Sequence, residues 1–212
     1  MEQADKLTVY ETTGFPNPAR VRAALAAKGA VEQVTFIEVD VMAKEHRTPE
    51  FYLINPLGTV PVLRTPEGIY LTDSTVIIEY LDNILPGPNL SGTTPLERGI
   101  IHMMQRRAEV MVMDAVAAYF HHATTGLGPE LETAPCQPWG ELQKLKAQAG
   151  LVYFNQHLQD QAFVAADRLT MADITLFYGL AFADFSGLEI PAHLRHLAAW
   201  RERMAQRPEF NG

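Results

Sequence analysis

The run Asn55-Pro56-Leu57-Gly58-Thr59-Val60-Pro61-Val62-Leu63, followed by Leu71-Thr72-Asp73-Ser74, leaves this chain few folds to choose from. A proline within a β-rich run removes a ladder donor, so it belongs at an edge, at the first residue of a strand or in a special turn. The segment reads as a turn, a short buried strand opened by Pro61, a hairpin, and the capped start of a helix. A cis Val60–Pro61 bond, an isomer accessible in practice only before proline, turns the backbone so that Val60 offers both its N–H and its C=O to a bound peptide. Asp73-Ser74 falls where a new helix presents free N–H groups, which suits a carboxylate. Together these features describe a groove for a small peptide backbone and its terminal carboxylate.

The flanking pattern places that groove in an open sheet. Leu7 to Tyr10 is a short β-rich run, ended by Gly14-Phe15-Pro16-Asn17-Pro18 as a loop. Ala19 to Lys28 has apolar residues at helical spacing, with Gly29 as its stop. Val34 to Val39 is a second strand, and Thr48 caps a short helix over Pro49 to Leu53. The signature then supplies two more strands, and Ser74 to Leu81 the last helix. The order β-α-β-α-β-β-α gives residues 1–82 an α/β fold with helices on the faces of the sheet. Residues 83–94 are a linker by their prolines and glycines.

Beyond the linker the strand signals stop, and residues 95–212 read as all-α. Pro95 to about His122 predicts one long helix whose apolar residues drift around a broad face. Trp139 to His157, Met171 to Phe182 and His193 to Gln206 predict three more. Thr170-Met171-Ala172-Asp173 has the form of a capping box.

Composition excludes several function classes. A net charge of −8 over 212 residues argues against an electrostatically driven nucleic-acid partner. No apolar run approaches the roughly 18 residues of a membrane span, so no membrane partner is expected. Met1-Glu2-Gln3-Ala4-Asp5 resembles neither a signal nor a transit peptide, which makes the expected address cytoplasmic. Cys136 is the only cysteine, so an intrachain disulfide and a thiolate metal site are both excluded, and no metal is expected.

The signature, with Tyr80-Leu81 after it, resembles the thioredoxin-like N-terminal domain of the cytosolic glutathione transferases. Arg168-Leu169-Thr170-Met171-Ala172-Asp173-Ile174 resembles the folding motif of that family's all-α C-terminal domain. Thr94 to Met104 and Tyr119-Phe120-His121-His122-Ala123-Thr124 are similar to the branch holding the second yeast enzyme and its bacterial relatives, which lacks the usual tyrosine, serine or cysteine. The resemblance implies conjugation of glutathione, as co-substrate and without a further cofactor, to a small hydrophobic electrophile, and it implies a homodimer. Glutathione-dependent reduction of disulfides or peroxides is one alternative. A transferase-like binding module without catalysis is another. The electrophile itself is not specified.

The same resemblance implies roles for individual residues. Val60, with Pro61, pairs by backbone with the cysteinyl part of glutathione. Asp73 and Ser74 hold the γ-glutamyl end, and His46 and Arg47 reach the glycyl carboxylate. Arg20 is expected at a helix-surface or domain-bridging position rather than as a ligand. Phe15 of the opening loop, with Met111, Ala115 and Tyr119 of the long helix, would form the apolar pocket for the electrophile.

Thiol activation is the open position. Phe15 stands at the usual serine position and cannot donate, while Tyr10 is expected to point into the core. The hydroxyl of Thr12 or Thr13, the Asn17 amide, and His121 acting through water remain as candidates. The serine that accompanies such a histidine is Ala117 here.

Overall fold

The computed structural model describes residues 6–210, which divide into two compact units along the chain between Leu90 and Ser91. The acidic segment Met1–Asp5 lies outside them. The first unit is an α/β thioredoxin-like domain and the second is helical.

In the first unit, β1 (Leu7–Glu11), β2 (Val34–Glu38), β3 (Val62–Arg64) and β4 (Tyr70–Thr72) form one sheet in the order β2-β1-β3-β4. β1 runs parallel to β2 and antiparallel to β3, which pairs antiparallel with β4. Register sets Val9 opposite Leu63 and Tyr10 opposite Val62, so the two pairs face opposite sides of the sheet. Tyr10 packs with Val39, Phe51, Ile54, Val60 and Val62, the side on which α2 (Pro49–Ile54) lies. Tyr10 is therefore half-buried against that core, and burial raises its phenol's pKa further.

α1 (Pro16–Ala27) and α3 (Ser74–Ile84) pack on each other through Val21, Leu25, Ile77, Ile78 and Leu81, none of which retains exposed surface. α1 begins three residues earlier than its sequence predicts. Pro16 and Pro18 look like loop residues, but they fall in the first turn, where a missing N–H costs no helical hydrogen bond.

The predicted linker is anchored from its start. Asn83 and Ile84 complete α3, and the next segment is held by a buried ion pair, Lys28 Nζ to Asp82 Oδ1 at 2.7 Å. Lys28 also donates to the Pro88 carbonyl at 3.0 Å. Asp82 accepts from the Leu90 N–H and the Asn89 amide, both at 3.0 Å. Gly87 permits this docking, since a Cβ there would stand 3.2 Å from the backbone of Lys28.

The second unit holds α4 (Pro95–Ala108), α5 (Asp114–Ala123), α6 (Leu127–Glu130), α7 (Gln137–His157), α8 (Met171–Phe185) and α9 (Arg195–Ala205). The single long helix expected over 95–122 is interrupted by a π-helical turn at Glu109–Met113. Two glycines make room for it. A Cβ on Gly150 would lie 2.4 Å from the Met111 carbonyl, and one on Gly179 would lie 3.0 Å from Val112.

α8 opens with the predicted capping box, centred on a fully buried carboxylate. Asp173 accepts from the Val164 N–H at 2.8 Å, the Thr170 N–H at 3.0 Å and the Thr170 hydroxyl at 2.8 Å. Burial still outweighs these donors and pushes its pKa up to about 6. Among the described residues, no helix is long and apolar enough to cross a membrane.

Candidate functional site

The signature folds as an extended segment leading into β3, followed by a hairpin and a helix start. The Val60–Pro61 bond is cis and Val60 is half-buried. Among the described residues its backbone N–H and C=O have no hydrogen-bond partner. A half-buried pair of this kind is suited to an added peptide. The preceding loop is held by Asn55, which is fully buried. Its amide donates to the carbonyl and hydroxyl of Thr59, both at 2.9 Å, and its Oδ1 accepts the Leu57 N–H at 3.0 Å. Gly58 has φ +58°, and a Cβ there would sit 2.9 Å from the His46 carbonyl. That close approach brings the His46 turn against the Val60 loop.

At the helix start it is Asp73, not Ser74, that occupies the cap. Asp73 has φ 73° and accepts the Thr75 N–H at 3.1 Å. A left-handed non-glycine residue is uncommon outside functional turns. It leaves Ser74 as the first helical residue, 3% exposed. The Ser74 hydroxyl donates to Asn17 Oδ1 at 3.3 Å, and Arg20 Nη1 donates to the same oxygen at 2.9 Å. Arg20 Nη2 donates in turn to the Thr75 hydroxyl at 2.8 Å. Arg20 is 1% exposed, so the expectation of a helix-surface arginine is corrected. Sequence reasoning overlooked this link, although Asn17 and Arg20 stand at i and i+3 and so share a helix face.

This network decides what Asn17 offers. Its oxygen receives two donors, so the Nδ2 end of the carboxamide is the end left as a donor. The two flanking prolines lack an N–H, so the Asn17 backbone N–H is the donor at the open end of α1. Amide, N–H and helix terminus all favour a negative charge there.

Thr13 does not share that property, and its expected role in thiol activation is corrected. Its hydroxyl donates to Glu38 Oε2 at 2.7 Å and its N–H to Oε1 at 3.0 Å, so both donors are already committed to a carboxylate. The Thr12 hydroxyl is likewise spent, on the Val39 carbonyl at 2.7 Å. Phe15 is a half-buried N-cap residue without a capping side chain.

His46 and Arg47 lie in a 3₁₀ turn before α2. Arg47 Nε donates to His46 Nε2 at 3.2 Å, which requires that nitrogen to be unprotonated and puts the imidazole proton on Nδ1. Burial, then the Arg47 charge, lowers the pKa of His46, so it is neutral near pH 7. Its Nδ1 is buried without a hydrogen-bond partner. With no solvent contact, that nitrogen faces packed protein, and His46 meets Arg47 through Nε2.

The remaining predicted residues belong to the second unit. His121 has Nδ1 3.3 Å from the Gly128 carbonyl and 3.5 Å from Glu132 Oε1, with the Phe120 ring edge-on at 5.1 Å. Gly128 allows this approach, because a Cβ would fall 2.0 Å from the Phe120 carbonyl. Tyr119 turns to α7, where Lys144 Nζ stands 4.8 Å over its ring. Ala115 retains no exposed surface, and Met111 rests its backbone on Gly150 of α7. The expected lining by Ala115 and Tyr119 is therefore corrected to helix packing. Among the described residues, no group of three or more His, Cys, Asp and Glu comes together as a metal site.

The N-terminal domain of the glutathione S-transferase family matches residues 16–84, and its C-terminal domain residues 111–208. Glutathione S-transferase 2 of Saccharomyces cerevisiae is 46% identical over 203 residues, covering 96% of this chain and 87% of the relative. A crystal structure of a glutathione S-transferase domain-containing protein from Marinobacter aquaeolei superposes with a TM-score of 0.94. It shares 53% identity and covers 96% of this chain and 99% of that one. The crystal structure of Gtt2 from Saccharomyces cerevisiae gives a TM-score of 0.92 at 45% identity, covering 96% of this chain and 98% of its own.

Proposed function

The chain belongs to the glutathione S-transferase family, and from that premise we propose how its residues bind glutathione and ionise its thiol. As a glutathione transferase it forms a bond between the glutathione sulfur and an electrophilic carbon. The leaving group departs with its electron pair, and the thiol proton passes to solvent. Val60 pairs by its free N–H and C=O with the cysteinyl residue of glutathione. Ser74 takes the γ-glutamyl carboxylate at the start of α3, and Asp73 the neighbouring ammonium. The guanidinium of Arg47, positioned by its bond to His46 Nε2, takes the glycyl carboxylate. Glutathione is the co-substrate, and no other cofactor or metal enters the scheme.

Thiol activation is assigned to Asn17. A thiol with a reference pKa of roughly 8.5 needs about 2.7 kcal/mol of preferential thiolate stabilisation to fall by about two units. A charge-assisted hydrogen bond from an amide, together with a helix N-terminus, reaches that order. The observation that carries this reading is the double acceptance by Asn17 Oδ1, which leaves the Nδ2 end as a donor.

The protein is further proposed to act in the cytoplasm, in detoxification, as a homodimer. Leu96, Ile100 and Met103 support the dimer, since they leave an exposed apolar strip on α4.

Retention on glutathione–agarose together with turnover of an activated chloronitrobenzene tests the reading. Ser74→Ala is expected to weaken glutathione binding about 10- to 100-fold, the loss of one hydrogen bond to a charged group. Retention with disulfide exchange as the sole turnover would point instead to a reductase. Undiminished binding by the Ser74 variant would remove the proposed carboxylate site.

A further inference from the structure

We infer that Arg20 is the positioning residue for thiol activation: it dictates which end of the Asn17 carboxamide faces the glutathione sulfur. The inference rests on the assignment of Asn17 above and deepens it.

A carboxamide has an acceptor end and a donor end of nearly equal size, and rotation by half a turn exchanges them. Only partners that accept one end and refuse the other can fix the choice. Ser74 cannot, because a hydroxyl both donates and accepts. The guanidinium of Arg20 can, because it carries donors alone and never deprotonates near neutral pH. Nη1 lies 2.9 Å from the carboxamide atom facing it, so that atom has to be oxygen. Arg20 is itself held by its burial and by the bond from Nη2 to the Thr75 hydroxyl at 2.8 Å.

Ligand binding makes this dependence stronger. Ser74 has one hydroxyl proton, which is donated to Asn17 Oδ1. A carboxylate placed at Ser74 accepts hydrogen bonds and donates none, so it draws that proton away. The hydroxyl oxygen left behind is an acceptor and would welcome Nδ2. Arg20 then holds the acceptor end of Asn17 inward by itself, and its charge polarises the amide toward the thiolate.

The test is the ultraviolet titration of bound glutathione thiolate in a cycle of Arg20→Ala, Asn17→Ala and the double variant. Each single change is expected to raise the midpoint by about one pH unit, a tenfold loss of thiolate below it. The double variant is expected to lie within about 0.3 unit of Asn17→Ala, since Arg20 has nothing left to orient. Arg20→Lys, still donor-only, should recover at least half the shift. Affinity for S-methylglutathione, which has no thiol to ionise, should change less than about threefold in every variant.

If Arg20→Ala is too unstable to titrate, Arg20→Gln carries the same expectation, because its own amide can present either end. A rise with Asn17→Ala but not with the Arg20 variants, or additive shifts in the double variant, would overturn the inference alone. No rise with Asn17→Ala would instead remove the reading beneath it.

Discussion

Asp173→Ala lowers the unfolding free energy by on the order of 3–5 kcal/mol at pH 7 and the thermal midpoint by roughly 10 °C. Three donors converge on this carboxylate in a site without solvent, from Val164 and Thr170. Removing it leaves all three unsatisfied, at about 1–3 kcal/mol each before relaxation, and undoes the first turn of α8. The wild type should also carry a pH signature. Burial holds the Asp173 carboxyl near 6 against an ordinary value of 3.8, so the folded state binds that proton more tightly than the unfolded state. Its contribution is fully present below about pH 4 and is lost as pH rises through 6, on the order of 2–3 kcal/mol in all. Denaturant unfolding of both proteins between pH 4 and 7 checks this. A variant within 1 kcal/mol of wild type at pH 7 would mean that the capping carboxylate does not hold the helical unit together.

Lys28→Ala costs a comparable amount, about 3–5 kcal/mol, by stranding the Asp82 carboxylate. The two side chains are 1% and 0% exposed, so solvent cannot compensate for a lost partner. The effect is specific to breaking the pair. Replacing both members, as in Lys28→Met with Asp82→Leu, should cost distinctly less than either single change, because no unpaired charge stays buried. Lys28→Ala frees the Pro88 carbonyl, and the double variant also frees the Leu90 N–H, so proteolysis there should accelerate even in the better-tolerated double variant. Urea unfolding of the three variants decides the matter. Single variants no less stable than the double one would show that the ion pair is not what fixes this segment.

The sheet and the helix starts were legible because their residues act locally. Pro61 at a strand mouth, Asp73-Ser74 at a helix start, and the Thr170 to Asp173 box each carry their meaning within a few positions. The π turn left only an indirect trace. Apolar residues of the predicted long helix drifted around a broad face, and an added residue at Glu109–Met113 shifts the phase of the stripe in that way. What the glycines at 150 and 179 are for depends on neighbours far along the chain. Hydroxyl ownership was illegible for the same reason. Thr12 and Thr13 look like equivalent donors until Val39 and Glu38 arrive from β2 and the residue after it to claim them. Pro16 and Pro18 concealed a helix start, and with it the face that Asn17 and Arg20 share.

Ultraviolet titration of glutathione bound to wild type and to Asn17→Ala is the most direct test of the central claim, that this groove ionises the thiol through the Asn17 amide. The wild-type midpoint is expected about two units below the roughly 8.5 of an ordinary thiol, with Asn17→Ala moving it back up by about one unit while peptide binding persists. A midpoint left in place by the Asn17 substitution would contradict the account.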